Sequence, residues 1–402
     1  MDIEITSKVI LFGGLLALVL GAVASKTNFC TMGAVSDWVN MGDTGRMRSW
    51  FLAIVIAILG VALLEAAALM DAGTSRVPYR GSLFFWPRYI LGGLMFGVGM
   101  TLASGCGNKN LVRLGGGNLK SLLVILVAGA MAYLMTRTDF YGNLFHSWME
   151  PISPDLKGAG IGDQSLGVIV GALIGMETPG ALNLYVALLL SGLLLSILFK
   201  SRDFRSNPDQ LLGGLVVGLV VVGGWYITAG PMGQAWMEAV EFMDQPPPSA
   251  GSQSYTFINP MGETLVYLAS PTKTRLITFG VAALSGVILG SLIYALIART
   301  FRIEWFVDLR DFLNHLIGAV LMGIGGVLAL GCTIGQGITG TSTLALGSFI
   351  ALGAIILGSA LTMKVQYYKL VYETGASFGK ALITGLVDLH LLPERLRKLD
   401  AI

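Results

Sequence analysis

The stretch 51–70 is apolar apart from one ionisable side chain, Glu65, and it is long enough to cross a bilayer as a helix. Similar runs recur along the chain. Hydrophobic residues make up 54% of the 402 and charged residues only 12%, about half the charge that a globular domain carries. The expected fold class is therefore an all-α polytopic membrane protein. The start, Met-Asp-Ile-Glu, is acidic where a secretory signal would be basic, so 9–24 is read as a retained first span.

Nine spans are expected, at 9–25, 50–70, 89–105, 119–136, 180–199, 210–229, 275–298, 312–331 and 345–363. Four segments between them, 30–39, 107–117, 231–243 and 333–344, are apolar but too short to cross, and 165–176 reads as a partial helix. The proline-rich stretch 245–251 is placed outside the membrane, and 374–402 as an amphipathic surface tail. If the loops after spans 1, 3, 5 and 7 share one face with the C-terminus, that face collects 18 Lys and Arg against 8, or 15 against 8 when 107–120 dips into the membrane. Basic residues favour the cytoplasmic side, so the N-terminus is expected outside and the C-terminus in the cytoplasm.

The chain also repeats itself. A shift of 226 residues carries Gly92, Gly97, Gly99, Leu102, Ala103, Gly105 and Cys106 onto Gly318, Gly323, Gly325, Leu328, Ala329, Gly331 and Cys332. A shift of 200 carries Leu11, Gly13, Gly14, Met32 and Gly33 onto Leu211, Gly213, Gly214, Met232 and Gly233, with Cys30 falling on Gly230. Small-residue packing faces would account for the glycines alone, but the cysteines align with them. The expected organisation is a first half at 1–136, a linker region with a central span at 137–209, a second, inverted half at 210–363, and a cytoplasmic tail at 364–402. Inverted halves that meet in broken helices are a transporter architecture.

All three cysteines, Cys30, Cys106 and Cys332, close an apolar run and precede a short one. An odd number at wide spacing is no disulfide scaffold. No CxxC, no Cys/His cluster and no Walker loop occurs, which argues against a zinc site and against a transporter that hydrolyses its own nucleotide. No cofactor and no nucleic-acid partner is expected. A helix broken inside a membrane frees polar backbone, so the break must line a polar cavity or be buried in protein. Gly105, Gly107 and Gly331 would permit the turns and close backbone approach. Each new helix start offers up to four free N–H donors and about half a positive charge, which suits an anion. Thr31, Asn108, Asn110, Thr333 and Gln336 stand where side chains could cap those starts or add donors. Thiols suit soft partners, either thiophilic metals or sulfur-bearing substrates.

At these residues a resemblance becomes specific. Phe29-Cys30-Thr31-Met32-Gly33-Ala34-Val35-Ser36-Asp37-Trp38, Gly105-Cys106-Gly107-Asn108 and Gly331-Cys332-Thr333-Ile334-Gly335-Gln336-Gly337 resemble the YeeE/YedE family of sulfur-transport membrane proteins, over roughly 12–363. The resemblance implies uptake of thiosulfate across a bacterial inner membrane, with the three cysteines contacting substrate and a small TusA-like cytoplasmic sulfur carrier as partner. It leaves selenium compounds as alternative substrates. The chain departs from the commoner form at Gly107-Asn108-Lys109-Asn110, which replaces a small-residue Ala-Thr-Gly run and adds a cation near the pathway. A thiophilic-metal channel and a membrane sulfurtransferase that forms a cysteine persulfide stand as the other readings.

Several charged and aromatic residues remain. Glu65 is either functional or paired with a basic residue of a neighbouring span. Lys109 and Arg113, four apart on one helix face, either attract the anion or snorkel to headgroups. Glu177 is expected to be solvated at a loop edge. The seven tryptophans are expected mostly in interfacial belts.

Overall fold

The computed structural model describes residues 2–176, 179–372 and 375–400; Glu177 lies outside them. The described residues form α1 (Asp2–Lys26), α2 (Thr31–Ser36, continued by a π-wound turn Asp37–Met41), α3 (Gly45–Ala66), α4 (Trp86–Leu102), α5 (Gly107–Gly115) and α6 (Leu119–Arg137). These are followed by α7 (Leu166–Leu173), α8 (Leu182–Leu198), α9 (Pro208–Ala229), α10 (Pro231–Glu241), α11 (Ile258–Ala269), α12 (Phe279–Ile297) and α13 (Leu309–Leu328). The chain closes with α14 (333–342, π-wound over Gly335–Gly340), α15 (Leu346–Val371) and α16 (Phe378–Asp388). Among the described residues, eight helical runs are long and apolar enough to cross a membrane, with α8 a shorter ninth. Leu189 (77% exposed) and Leu193 of α8 turn outward, as leucines facing lipid do. The molecule is an all-α polytopic membrane protein.

Helix pairs build the bundle: α1 packs on α12, α3 on α9, α4 on both α13 and α15, and α6 on α13. Glycine permits the closest of these approaches. A Cβ on Gly99 would lie 2.6 Å from the Gly318 carbonyl oxygen, and one on Gly318 would lie 2.6 Å from that of Gly99. Gly92 and Gly325 face each other in the same manner, at 2.9 and 2.7 Å. The 226-residue shift turns the pair Gly92/Gly325 into Gly318/Gly99, so the α4–α13 contact maps onto itself. Gly99→Ala is expected to destabilise the protein by about 1–3 kcal/mol through overpacking, read as a lower melting temperature in detergent.

The tail α16 is fastened to α15 by charge. Tyr368 Oη and Arg397 Nη1 each donate to Asp388 at 2.8 Å, with Lys364 Nζ at 3.4 Å. Burial alone would raise the Asp388 pKa, but hydrogen bonds from Tyr368 and Arg397 and the Lys364 cation outweigh it and hold the carboxyl below its ordinary value. A depressed carboxylate contributes stability that is complete above the unfolded pKa and is lost as pH falls through the folded one. The tail is therefore expected to resist limited proteolysis down to about pH 5 and to release only below about pH 4. Release at neutral pH would contradict this.

Three expectations are corrected, and one unassigned stretch is placed. The helix of the last span does not end near Met363 but continues to Val371. The stretch after the proline-rich loop, which falls in none of the expected spans, lies inside the bundle. Residues 252–257 run through the protein, with Tyr255 and Phe257 fully buried and Tyr255 Oη donating to the Gly13 carbonyl at 2.8 Å, and α11 packs on α6. Glu65 lies at the C-terminal end of α3 rather than deep in it, and its partner is not on a neighbouring span. Arg80 of the following loop holds it with two hydrogen bonds of 2.8 Å and also donates to the Thr343 carbonyl at 2.8 Å. Finally, Trp50, Trp225 and Trp236 are core residues, not interfacial ones.

Candidate functional site

Each cysteine follows a helix end of one design. Asn28, Ser104 and Leu330, each two residues before a cysteine, adopt the left-handed conformation, with φ of 51°, 56° and 63°. The next amide reaches back six-to-one: Phe29 N to Ala24 O, Gly105 N to Met100 O, and Gly331 N to Gly326 O, at 3.1, 2.8 and 2.8 Å. These are Schellman ends, built without glycine at the strained position, where a side chain costs about 1–2 kcal/mol. The surrounding bundle imposes them. Gly105 and Gly331 serve close approach instead: a Cβ on Gly331 would meet the Gln336 amide nitrogen at 3.0 Å, and one on Gly105 the Lys109 side chain at 3.1 Å.

The cysteine then begins the next helix. Cys30 Sγ accepts from the Gly33 amide at 3.3 Å, and Cys332 Sγ from the Gly335 amide at 3.4 Å. Both thiols are N-caps, a role expected of the neighbouring polar residues. A sulfur that accepts from the backbone still has its S–H to donate. Cys106 holds the same position with no cap bond to its sulfur. All three thiols are buried and free, and Cys106 lies near both Cys30 and Cys332. Gly230, the counterpart of Cys30, ends α9 and starts α10.

Around the thiols lie polar atoms without partners. Asn108 Oδ1, Thr333 Oγ1, Gln336 Oε1 and Trp50 Nε1 are buried and make no hydrogen bond. The Thr333 hydroxyl lies close to Cys106, and the Trp50 ring presses on Gly337. Gln336 Nε2 donates to the Ala329 carbonyl, and Asn110 Nδ2 to those of Gly105 and Cys106. Asn110 thus satisfies the break's carbonyls rather than capping a helix start. Thr31 is buried in the first turn of α2. Gly107 packs beneath Phe257, Ile258 and Met261, so the unforeseen segment roofs the start of α5. Its alternation Ser-Tyr-Thr-Phe was the signal available in the sequence.

Lys109 is 9% exposed, and its Nζ donates to Asn28 Oδ1, beside Cys30. Lys109 makes no ion pair among the described residues, although Glu304 and Asp311 line the cavity it borders. Arg113 turns back to the Ser104 carbonyl. Neither snorkels to lipid. Both line a polar cavity of about 450 Å³ with Lys120, Arg302, Asp311 and His315. Beyond Cys332 the space narrows: Tyr79 Oη donates to the Gly335 carbonyl at 3.0 Å, Thr256 abuts Gly335, and both side chains line a recess of only about 10 Å³. By connectivity these two spaces lie at opposite ends of the bundle.

Fold and site together define a multi-pass membrane protein whose helices are interrupted around buried sulfur and unpaired polar atoms. Residues 26–361 match the sulphur transport family, and the chain belongs to it. Over 358 residues it is 25% identical to the thiosulfate transporter TsuA of Escherichia coli (strain K12), covering 87% of this chain and 92% of that one. Over 374 residues it is 24% identical to the thiosulfate transporter TsuA of Spirochaeta thermophila, covering 86% and 96%.

Proposed function

We propose that this protein is a permease for a sulfur oxyanion, thiosulfate first, which passes the thiols of Cys332, Cys106 and Cys30. The observation that carries this reading is Lys109. Its amine is buried against a neutral amide and makes no ion pair among the described residues, and a dianion that arrives among three helix starts would supply the opposite charge. The unpartnered atoms of Asn108, Thr333, Gln336 and Trp50 surround the same path and would be satisfied by the substrate or its water. The same cation opposes a thiophilic metal ion, which it would repel. The names of the two relatives agree with an anion of this kind.

The two halves are read as inverted copies, supported by the self-mapping α4–α13 contact and by the matching helix ends at Cys106 and Cys332. The narrow recess at Tyr79 is assigned to the outer face and the 450 Å³ cavity to the cytoplasmic face, in keeping with the basic-residue asymmetry. A TusA-like carrier would collect sulfur at the wide cytoplasmic cavity.

The test is growth of a sulfur-auxotrophic bacterial host on thiosulfate as sole sulfur source, paired with uptake of radiolabelled thiosulfate into proteoliposomes. Growth and uptake that require this protein support the reading. Proteoliposomes that stay impermeable to thiosulfate, with folded protein in them, overturn it.

A further inference from the structure

A second large cavity lies away from the thiols. It measures about 890 Å³ and opens between α4, α13, α15 and the tail helix α16, with Leu102, Leu361, Val365 and Leu382 on its walls. Arg310, at the start of α13, and Lys369, near the end of α15, line it too. Both are exposed, and among the described residues neither has an acidic partner. Two nearby acids are engaged elsewhere: Asp311 by Lys120 and His315, and Asp388 by Lys364 and Arg397. Close by, Leu370 is 76% and Phe378 62% exposed, apolar surface that suits acyl chains better than water.

An apolar slot with two cations that are unpaired among the described residues matches one kind of occupant. A small oxyanion would leave most of the volume and all of the leucine wall empty. A zwitterionic lipid would set its own ammonium against Arg310 and Lys369. We propose that this groove binds an acidic phospholipid, its phosphate held by Arg310 and Lys369 and an acyl chain laid along Leu102, Leu361 and Val365. The lipid fills the space between the bundle and α16. The tail, pinned at its far end through Asp388, then rests on lipid at its near end, around Phe378 and Leu382.

The test is lipid selectivity. Full-length protein is reconstituted in vesicles of equimolar phosphatidylglycerol and phosphatidylcholine, extracted in mild detergent, and its retained lipid is measured by native mass spectrometry. Wild type is expected to retain phosphatidylglycerol preferentially. The double variant R310Q/K369Q is expected to lose that preference by about thirty-fold, since each basic residue near an anionic headgroup contributes a factor of about five. A control, R395Q/K398Q, removes two tail cations outside the groove and is expected to change nothing. Melting temperatures of both variants check that the fold is intact. Three results would overturn the proposal: equal retention of the two lipids by wild type, undiminished preference in R310Q/K369Q, or a loss in the control as large as in the groove variant. None of these readouts involves thiosulfate, so the proposal stands or falls separately from the transport reading.

Discussion

Replacing Lys109 by methionine is expected to lower thiosulfate uptake about thirty-fold while leaving the protein as stable as before, or more so. A hydrogen bond to a charged group contributes about 1.5–3 kcal/mol, and the middle of that range is a factor of about thirty or more. The second half of the expectation has its own cause. Taking an ammonium out of water is costly, and a buried ion replaced by an apolar side chain of similar volume is often neutral or stabilising. Methionine matches the lysine stem and loses only the contact to Asn28. A structural lysine would behave in the opposite way, with stability falling and uptake following it. Proteoliposome uptake and thermal melting, measured on the same preparation, separate the two. Unchanged uptake in a stable K109M protein would remove the observation on which the function rests.

The cysteines are expected to divide by the bond each sulfur already makes. Cys106→Ala is expected to cut uptake about ten- to a hundred-fold through loss of one donor to a charged substrate. Its sulfur caps nothing, so stability should hold. Cys30→Ser and Cys332→Ser replace one N-cap with a better one. They should fold well and retain a measurable fraction of uptake, because a hydroxyl still donates to an oxyanion. The sulfurtransferase reading predicts otherwise. There a cysteine thiolate attacks the outer sulfur of thiosulfate, a new S–S bond forms as the old one breaks, and sulfite leaves with the electron pair. Serine cannot hold the transferred sulfur, so a cysteine that works in this way would give a serine variant with no activity. Partial uptake in every serine variant, without sulfite release by wild type, supports hydrogen-bonded passage.

Much of this was legible in the residues. Long apolar runs located the spans, and Gly-Cys frames located the breaks, because a polar interruption in hydrocarbon has few physical explanations. The details of the breaks were not legible. Ser104 and Leu330 have little intrinsic preference for the left-handed conformation; tertiary packing places them there, and no local signal announces it. That the thiols themselves would cap the new helices was hidden for a related reason, since sulfur is a weak acceptor and Asn108, Asn110 and Thr333 looked better suited. Helix α11 escaped notice because Asn259, Pro260 and Glu263 interrupt its apolar pattern and a proline-rich turn precedes it. Glu65 was seen to need a partner, but Arg80 sits in a loop whose path over Thr343 only the fold reveals.

The most direct measurement is the position of the anion itself, from crystals soaked in thiosulfate and recorded for sulfur anomalous scattering. Additional sulfur density is expected beside Lys109 Nζ and the Cys106 thiol, with Cys30 and Cys332 flanking it. An anion found only elsewhere on the protein, with that space empty in a preparation that still transports thiosulfate, would contradict the account.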